Sequence, residues 1–175
     1  MTFFHSRVIL GGIATLSMQF PPTFAETYLD DEFVGIRPHI GVGYTSASGD
    51  GASGTSRHAG ARVLLGAGGT KSYGLEVTYI DAYTQEDDKP DTEYLGVGIV
   101  LERKPFESFN IGIGTIGYLG IGDNTDNTFG IVATVAWEPD YPGMLKPFIG
   151  YRSDMIFDDS TLTIHSITAG IRLRF

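Results

Sequence analysis

The chain has 175 residues, the length of one domain, with 12 Lys and Arg against 21 Asp and Glu and a net charge of −9. So acidic a chain lacks the basic surface that pairs with nucleic-acid phosphate. It has no cysteine, which excludes disulfide scaffolds, thiolate zinc sites and cysteine nucleophiles together; its 42% hydrophobic content suits an ordered fold.

Residues 1–25 read as a secretory signal peptide. His5 and Arg7 form the n-region, Val8 to Met18 the apolar h-region, and Pro21 and Pro22 break it. Thr23-Phe24-Ala25 then puts small residues at the −3 and −1 positions of a cleavage site. The alternative is an anchoring helix, but about 20 apolar residues are needed to span a bilayer and this run is shorter. The expected mature domain is 26–175, starting at Glu26.

Beyond that segment no helical stripe appears. Apolar residues alternate with period two, and Gly or Asp/Asn clusters interrupt the pattern. Eight strands are predicted in chain order, at 33–46, 57–66, 72–83, 92–102, 109–120, 128–138, 145–157 and 161–175. Three connections are tight: 67–71, 103–108 and 139–144. The other four, 47–56, 84–91, 121–127 and 158–160, are more polar and mostly acidic in charge. Short turns on one side and longer polar loops on the other is the layout of an outer-membrane barrel.

One face of each predicted strand is apolar, as in Ile40, Val42, Tyr44; Leu75, Val77, Tyr79; Leu95, Val97, Ile99; and Ile131, Ala133, Val135. The other carries Gly, Thr, Arg, Glu and Tyr. Periodicity alone leaves open which face points inward, because a soluble lipocalin-type barrel would bury the apolar one. Three features favour the inverted, lipid-facing arrangement. The polar face is mostly Gly, with charges at mid-depth. Aromatic residues fall near strand ends (Phe33, Tyr44, Tyr79, Tyr94, Phe109, Phe129, Trp137, Tyr151, Phe157), as interfacial girdles require. The chain also ends on a strict alternation, Ile167, Ala169, Ile171, Leu173, Phe175.

That final stretch resembles the terminal strand of bacterial outer-membrane proteins. The whole mature chain resembles the small eight-stranded barrels of the OmpA membrane domain, OmpX and OmpW type. The resemblance implies an all-β, antiparallel, up-and-down transmembrane barrel in the outer membrane. It implies contact with lipopolysaccharide, and an assembly signal at Ile171, Leu173 and Phe175 read by the barrel-assembly machinery. It does not choose an activity, since such barrels serve as adhesins, channels, lipid A enzymes and structural proteins.

An eight-stranded barrel has room inside for little beyond its own side chains. The expected inward set is Arg37, His39, Arg62, Glu76, Glu102, Asn110, Tyr118, Glu138, Arg152, Asp154 and Arg172. A turn centred near Gly69 sets Arg62 opposite Glu76, and closure of strand eight on strand one brings Arg37 and Arg172 to similar depth. Buried charges persist only when paired, so the charged members (Arg37, Arg62, Glu76, Glu102, Glu138, Arg152, Arg172, with Asp154) read as an ion-pair network, and alternatively as a selectivity lining or gate. Gly41, Gly43, Gly96, Gly98, Gly112 and Gly114 are expected to make room for Arg and Tyr, and Ser at Gly96 or Gly130 to be mild.

A hydrolase needs a nucleophile beside a base and a group that orients the base. The candidates are Ser153, His165 and Asp159, with Ser153 and His165 predicted opposite each other on the outward face. In the PagL-type lipid A deacylases that share this barrel, His and Ser stand two apart on one strand with Glu on the next. Here Tyr151 stands two before Ser153, and His165 takes the acid's place. His39 and His58 read as ordinary lumen or rim residues. No metal-ligand spacing or phosphate loop is present, and no cofactor is implied. The outer loops and adjacent strand ends gather Asp50, Glu86, Asp87, Asp88, Asp91, Glu93, Asp123, Asp126, Asp154, Asp158 and Asp159 against Arg57, Lys89 and Arg152. That rim reads as solvation, or as a cation-bridged contact with lipopolysaccharide phosphates. The first expectation for function is a mostly filled barrel of structural or surface-interaction role. The second is a narrow channel for small or apolar solutes, and the third a lipid A-modifying esterase.

Overall fold

The computed structural model describes residues 34–47, 53–66, 71–84, 92–121, 125–139, 142–157 and 161–174. The expected signal peptide, the Glu26 start, Phe33 and Phe175 lie outside the described residues. So do Asp50, Gly69, Glu86, Asp87, Asp88, Lys89, Asp91, Asp123, Asp158 and Asp159.

Eight strands close into one antiparallel barrel in chain order. They are β1 (Val34–Ala47), β2 (Ser53–Leu65), β3 (Lys71–Thr84), β4 (Thr92–Phe106), β5 (Phe109–Gly120), β6 (Thr128–Trp137), β7 (Leu145–Phe157) and β8 (Thr161–Arg174). β8 pairs with β1, with Ile40 opposite Ala169 and Tyr44 opposite His165. Among the described residues closure leaves no free strand edge, the condition for a sheet to stand in lipid, and the β1–β8 ladder is interrupted only at Arg37 and Pro38. On the side of the short turns, the backbone passes through the left-handed region at Gly66 (φ 73°) and Gly143 (φ 116°), which Gly tolerates without cost.

Two strands are longer than the residue pattern indicates. β2 begins at Ser53 rather than 57, because Ser53 to Ser56 pair with β1 on one side and Gly54 to Ser56 pair with β3 on the other. Their Gly/Ser composition reads as a loop, yet the ladder holds them extended. β4 runs on to Phe106, past the predicted end at 102. A register irregularity between Arg103 and Phe106 lets Phe106 pair with Phe109, and Glu107 and Ser108 make the turn.

The apolar face points outward. Val42 is 69% exposed, Ile40 66%, Ile113 60% and Val97 51%, while Glu76 and Asp154 are fully buried. A soluble barrel would show the reverse, so this is an inverted, transmembrane barrel. Charged residues bracket the outward band. Lys71 pairs with Arg103 at one end, and Asp81 with Glu93 at the other. The ten residue steps from one member to the other on each strand rise roughly 33 Å. Tilted by about 40°, that span covers the ~25 Å apolar band of an outer-membrane barrel.

The inner face departs from expectation in two ways. Its outer half is apolar: Ile80, Ala82, Tyr94, Ile116, Tyr118, Val132, Ile156, Leu162 and Ile164 form one buried cluster, joined by Val100. Tyr94, expected in an aromatic girdle, is thus a lumenal residue at 1% exposure. The inward glycines mostly accommodate other groups than Arg and Tyr. A Cβ at Gly41 would lie 2.2 Å from the His58 ring, and one at Gly98 or Gly114 would run into the neighbouring strand's backbone oxygen at 2.2–2.3 Å. Arg62 packs over Gly74, and Tyr118 over Gly96 and Gly130. At Gly130 the Cβ would also meet the Met155 carbonyl oxygen at 2.3 Å, so Ser there is not mild.

Candidate functional site

The residues with most chemistry to offer are inside. Strand alternation sends every second side chain inward, and from mid-depth toward the short-turn end those positions hold Arg37 of β1, Arg62 of β2, Glu76 of β3, Glu102 of β4, Arg152 and Asp154 of β7 and Arg172 of β8. Glu138, just past β6, joins them. Each is no more than 4% exposed.

They form one chain of alternating sign across the lumen. Arg152 grips Asp154 with two parallel bonds, Nε to Oδ2 and Nη2 to Oδ1, both 2.7 Å. That bidentate fork is the strong geometry for a guanidinium on a carboxylate. Arg152 also reaches Glu76, which bonds Arg62 through Nε at 2.7 Å. Arg62 continues to Glu102. Glu102 is the hub: it also accepts from Arg37 Nη1 at 2.7 Å and from Arg172 Nη2 at 3.2 Å. Arg172 ends the chain on Glu138, 3.1 Å away, where Asn110 donates as well at 3.3 Å. Tyr118 caps the other end with a 2.8 Å bond to Asp154.

Four guanidiniums meet four carboxylates in these pairs, and Lys146 of β7, also buried on the inward face, stands opposite Arg172. An isolated buried charge is prohibitively costly, and pairing makes burial tolerable. The Arg37 guanidinium also lies 3.8 Å from the centroid of the Phe148 ring, which sequence reasoning had not singled out. Phe148 in turn packs over Gly170.

Two histidines border this network. A guanidinium only donates, so His39 Nε2, 3.5 Å from Arg152 Nη1, accepts there. Its Nδ1 then carries the proton and faces the Arg37 carbonyl oxygen at 3.4 Å. His58 lies 5.7 Å from His39 by ring centroids. Both are buried.

Arg152 and Asp154, which the sequence allowed at the rim as well as in the lumen, are lumenal. Rim charge among the described residues includes Glu93, the exposed Asp126 and an outward cluster that sequence reasoning missed. There Asp81, buried although it faces outward, accepts from Arg57 Nε at 2.8 Å and from the Tyr83 hydroxyl at 2.7 Å. The adjacent register of Arg57 and Asp81 on β2 and β3 was the available signal.

Ser153 and His165 do stand opposite each other on β7 and β8, but no hydrogen bond joins them. His165 Nδ1 instead shares a 2.6 Å bond with the Tyr151 hydroxyl, and the two rings stack. The third member, Asp159, is outside the described residues. Among the described residues, no group of three or more His, Cys, Asp or Glu gathers to hold a metal ion.

Neither family models nor curated protein sequences match the chain. Solved structures do. Neisserial surface protein A aligns over 82% of this chain and 97% of its own, with a TM-score of 0.55 and 14% identity. A de novo designed transmembrane β-barrel aligns over 81% and 95%, with a TM-score of 0.47 and 15% identity. The outer membrane protein AlkL, solved in lipid bilayers, aligns over 82% and 89%, with a TM-score of 0.45 and 12% identity. Identity this low speaks for fold alone. The chain is a small eight-stranded transmembrane β-barrel, built on the same fold as Neisserial surface protein A.

Proposed function

We propose that this chain is an outer-membrane barrel of structural or surface-interaction role, with a lumen closed to solutes. The carrying observation is the network of four arginines and four carboxylates across the lumen. A solute would have to break several desolvated ion pairs at once to pass, and the apolar cluster above them fills the outer half. Purified barrel in planar bilayers is expected to give no ionic conductance step in molar salt. A regular step would replace this reading with the narrow-channel one.

Export through a signal peptide cleaved before Glu26, contact with lipopolysaccharide at the acidic rim and delivery by the barrel-assembly machinery belong to the same proposal. The alternation of Ile171, Leu173 and Phe175 supports the last of these. Deleting Phe175 is expected to deplete the folded, heat-modifiable band in outer-membrane fractions. Undiminished assembly at native expression would remove that support.

A further inference from the structure

The lipid face has a hollow that the protein's own packing does not require. Among the described strand residues, Gly117 of β5 is the one glycine on that face. The space over inward glycines such as Gly98 and Gly114 is taken by the next strand, whereas a Cβ at Gly117 would meet only the Val97 carbonyl oxygen, at an ordinary 3.7 Å. Its φ is not positive either. Glycine weakens a strand interior, and where neither packing nor backbone demands it, it marks a close approach by another molecule. Thr115 and Gly117 floor a groove of about 400 Å³, walled by Leu75, Val97, Ile99 and Phe129. Those walls belong to the outward apolar band, so the groove is continuous with the surface that meets acyl chains.

Two strands of this groove carry an unbalanced pair of cations at the short-turn end. Lys71 of β3 and Arg103 of β4 are direct register partners, both outward and exposed. Like charges directly opposite each other destabilise a sheet. Among the described residues, neither forms an ion pair with a carboxylate, and Lys104 adds a third positive charge next along β4. An anion between them relieves the repulsion. Phosphate suits the pair, since the Arg fork takes two of its oxygens while the Lys ammonium meets it as a point charge. Tyr73 and Leu101, opposite each other, lead from the cations to the groove. Ile99 lies four residues from Arg103 and Val97 six, roughly 13 and 20 Å along the strand, within reach of a long acyl chain whose headgroup stays at the rim.

We propose that this face binds one anionic phospholipid from the leaflet on the short-turn side. Its phosphate bridges Lys71 and Arg103, and one acyl chain passes Tyr73 and Leu101 to end in the groove over Gly117. The site is on the outside of the barrel, so it goes beyond the closed-lumen reading and does not depend on it.

The full folded barrel in detergent is mixed with equal amounts of phosphatidylglycerol and phosphatidylcholine carrying the same chains, and native mass spectrometry reads what stays bound. One phosphatidylglycerol should be retained severalfold more often than phosphatidylcholine. Lys71→Gln combined with Arg103→Gln should bring the two lipids level. Gly117→Val has room on the outward face and suits a strand, so it should keep the folded mobility on gels and lose most of the bound lipid. Should it fail to fold, Gly117→Ala should cause a smaller loss in the same direction. Equal retention of both lipids by the wild type, or retention untouched by either the cation or the groove variants, overturns the site. Displacement by inorganic phosphate at matched ionic strength would make it an ion site, and a dimer that Gly117→Val dissociates would give the groove to a second copy; either result overturns the lipid. Conductance is measured separately, so a failure of the closed-lumen reading is told apart from a failure of this one.

Discussion

Replacing Glu102 by Gln is expected to destabilise the barrel by about 3–5 kcal/mol, the cost of removing one partner from a buried ion pair. Glu102 takes three arginines, Arg37, Arg62 and Arg172. Arg62 retains Glu76 and Arg172 retains Glu138, but Glu102 is the carboxylate that Arg37 meets, so its guanidinium would stay buried on Phe148 without its ion-pair partner. Urea unfolding in lipid vesicles, followed by loss of the fast-migrating folded form on gels, measures the change. The double variant Arg37→Met, Glu102→Gln should recover part of the loss, because the stranded charge is gone. If Glu102→Gln alone unfolds at the wild-type urea concentration, the network contributes nothing to stability and the plug loses its physical basis.

The second large effect is on the opposite face. Val97 and Ile131 point outward, 51% and 41% exposed, and Val97 is one residue from the midpoint between Glu93 and Arg103 on β4. Arg at either position should cost about 2–4 kcal/mol, the depth-dependent penalty at the bilayer midplane. Since Arg would also damage a soluble core, the deciding measurement is chemical. The chain has no native cysteine, so single Cys residues at Val97 and Ile131 can be probed cleanly in vesicles. Both should react with a lipid-soluble maleimide and resist a water-soluble one. Rapid labelling by the water-soluble reagent contradicts the transmembrane barrel; protection from both reagents indicates a soluble core.

Most of this architecture is legible in the residues, because a strand's period of two is so simple. Once Val97 and Ile99 are set outward, Gly96 and Gly98 must turn inward, and one tight turn fixes Arg62 opposite Glu76. What parity cannot carry is depth and closure. Ile116, Ile156 and Ile164 share a face with the lumenal charges, and only their height in the barrel makes them an apolar stopper. Glu102 meets Arg37 and Arg172 because the sheet curls until β4 looks across the lumen at β1 and β8, and no local spacing encodes that encounter. Ser153 and His165 show the converse limit: their register opposition is readable from the loop between them, whereas the turn of the imidazole toward Tyr151 depends on side-chain packing.

The glycines that the inner side chains overhang carry a consequence for how such a sequence can drift. Arg62 occupies the space over Gly74, His39 that over Gly60, and Phe148 that over Gly170. Arg62 and Gly74 divide a fixed volume between them, whereas a Cβ at Gly60 or Gly170 would first meet a backbone oxygen, of Val77 at 2.6 Å and of Pro38 at 2.1 Å. A methyl gained at Gly74 must be matched by atoms lost from Arg62, but no change of side chain frees the other two sites. Among descendants of a common ancestor, Gly74 and Arg62 should substitute in concert and Gly60 and Gly170 should stay glycine, while Val97 or Ile99 exchange freely among apolar types. The interior of this barrel would then evolve under backbone and pairwise constraint and its lipid face as independent letters.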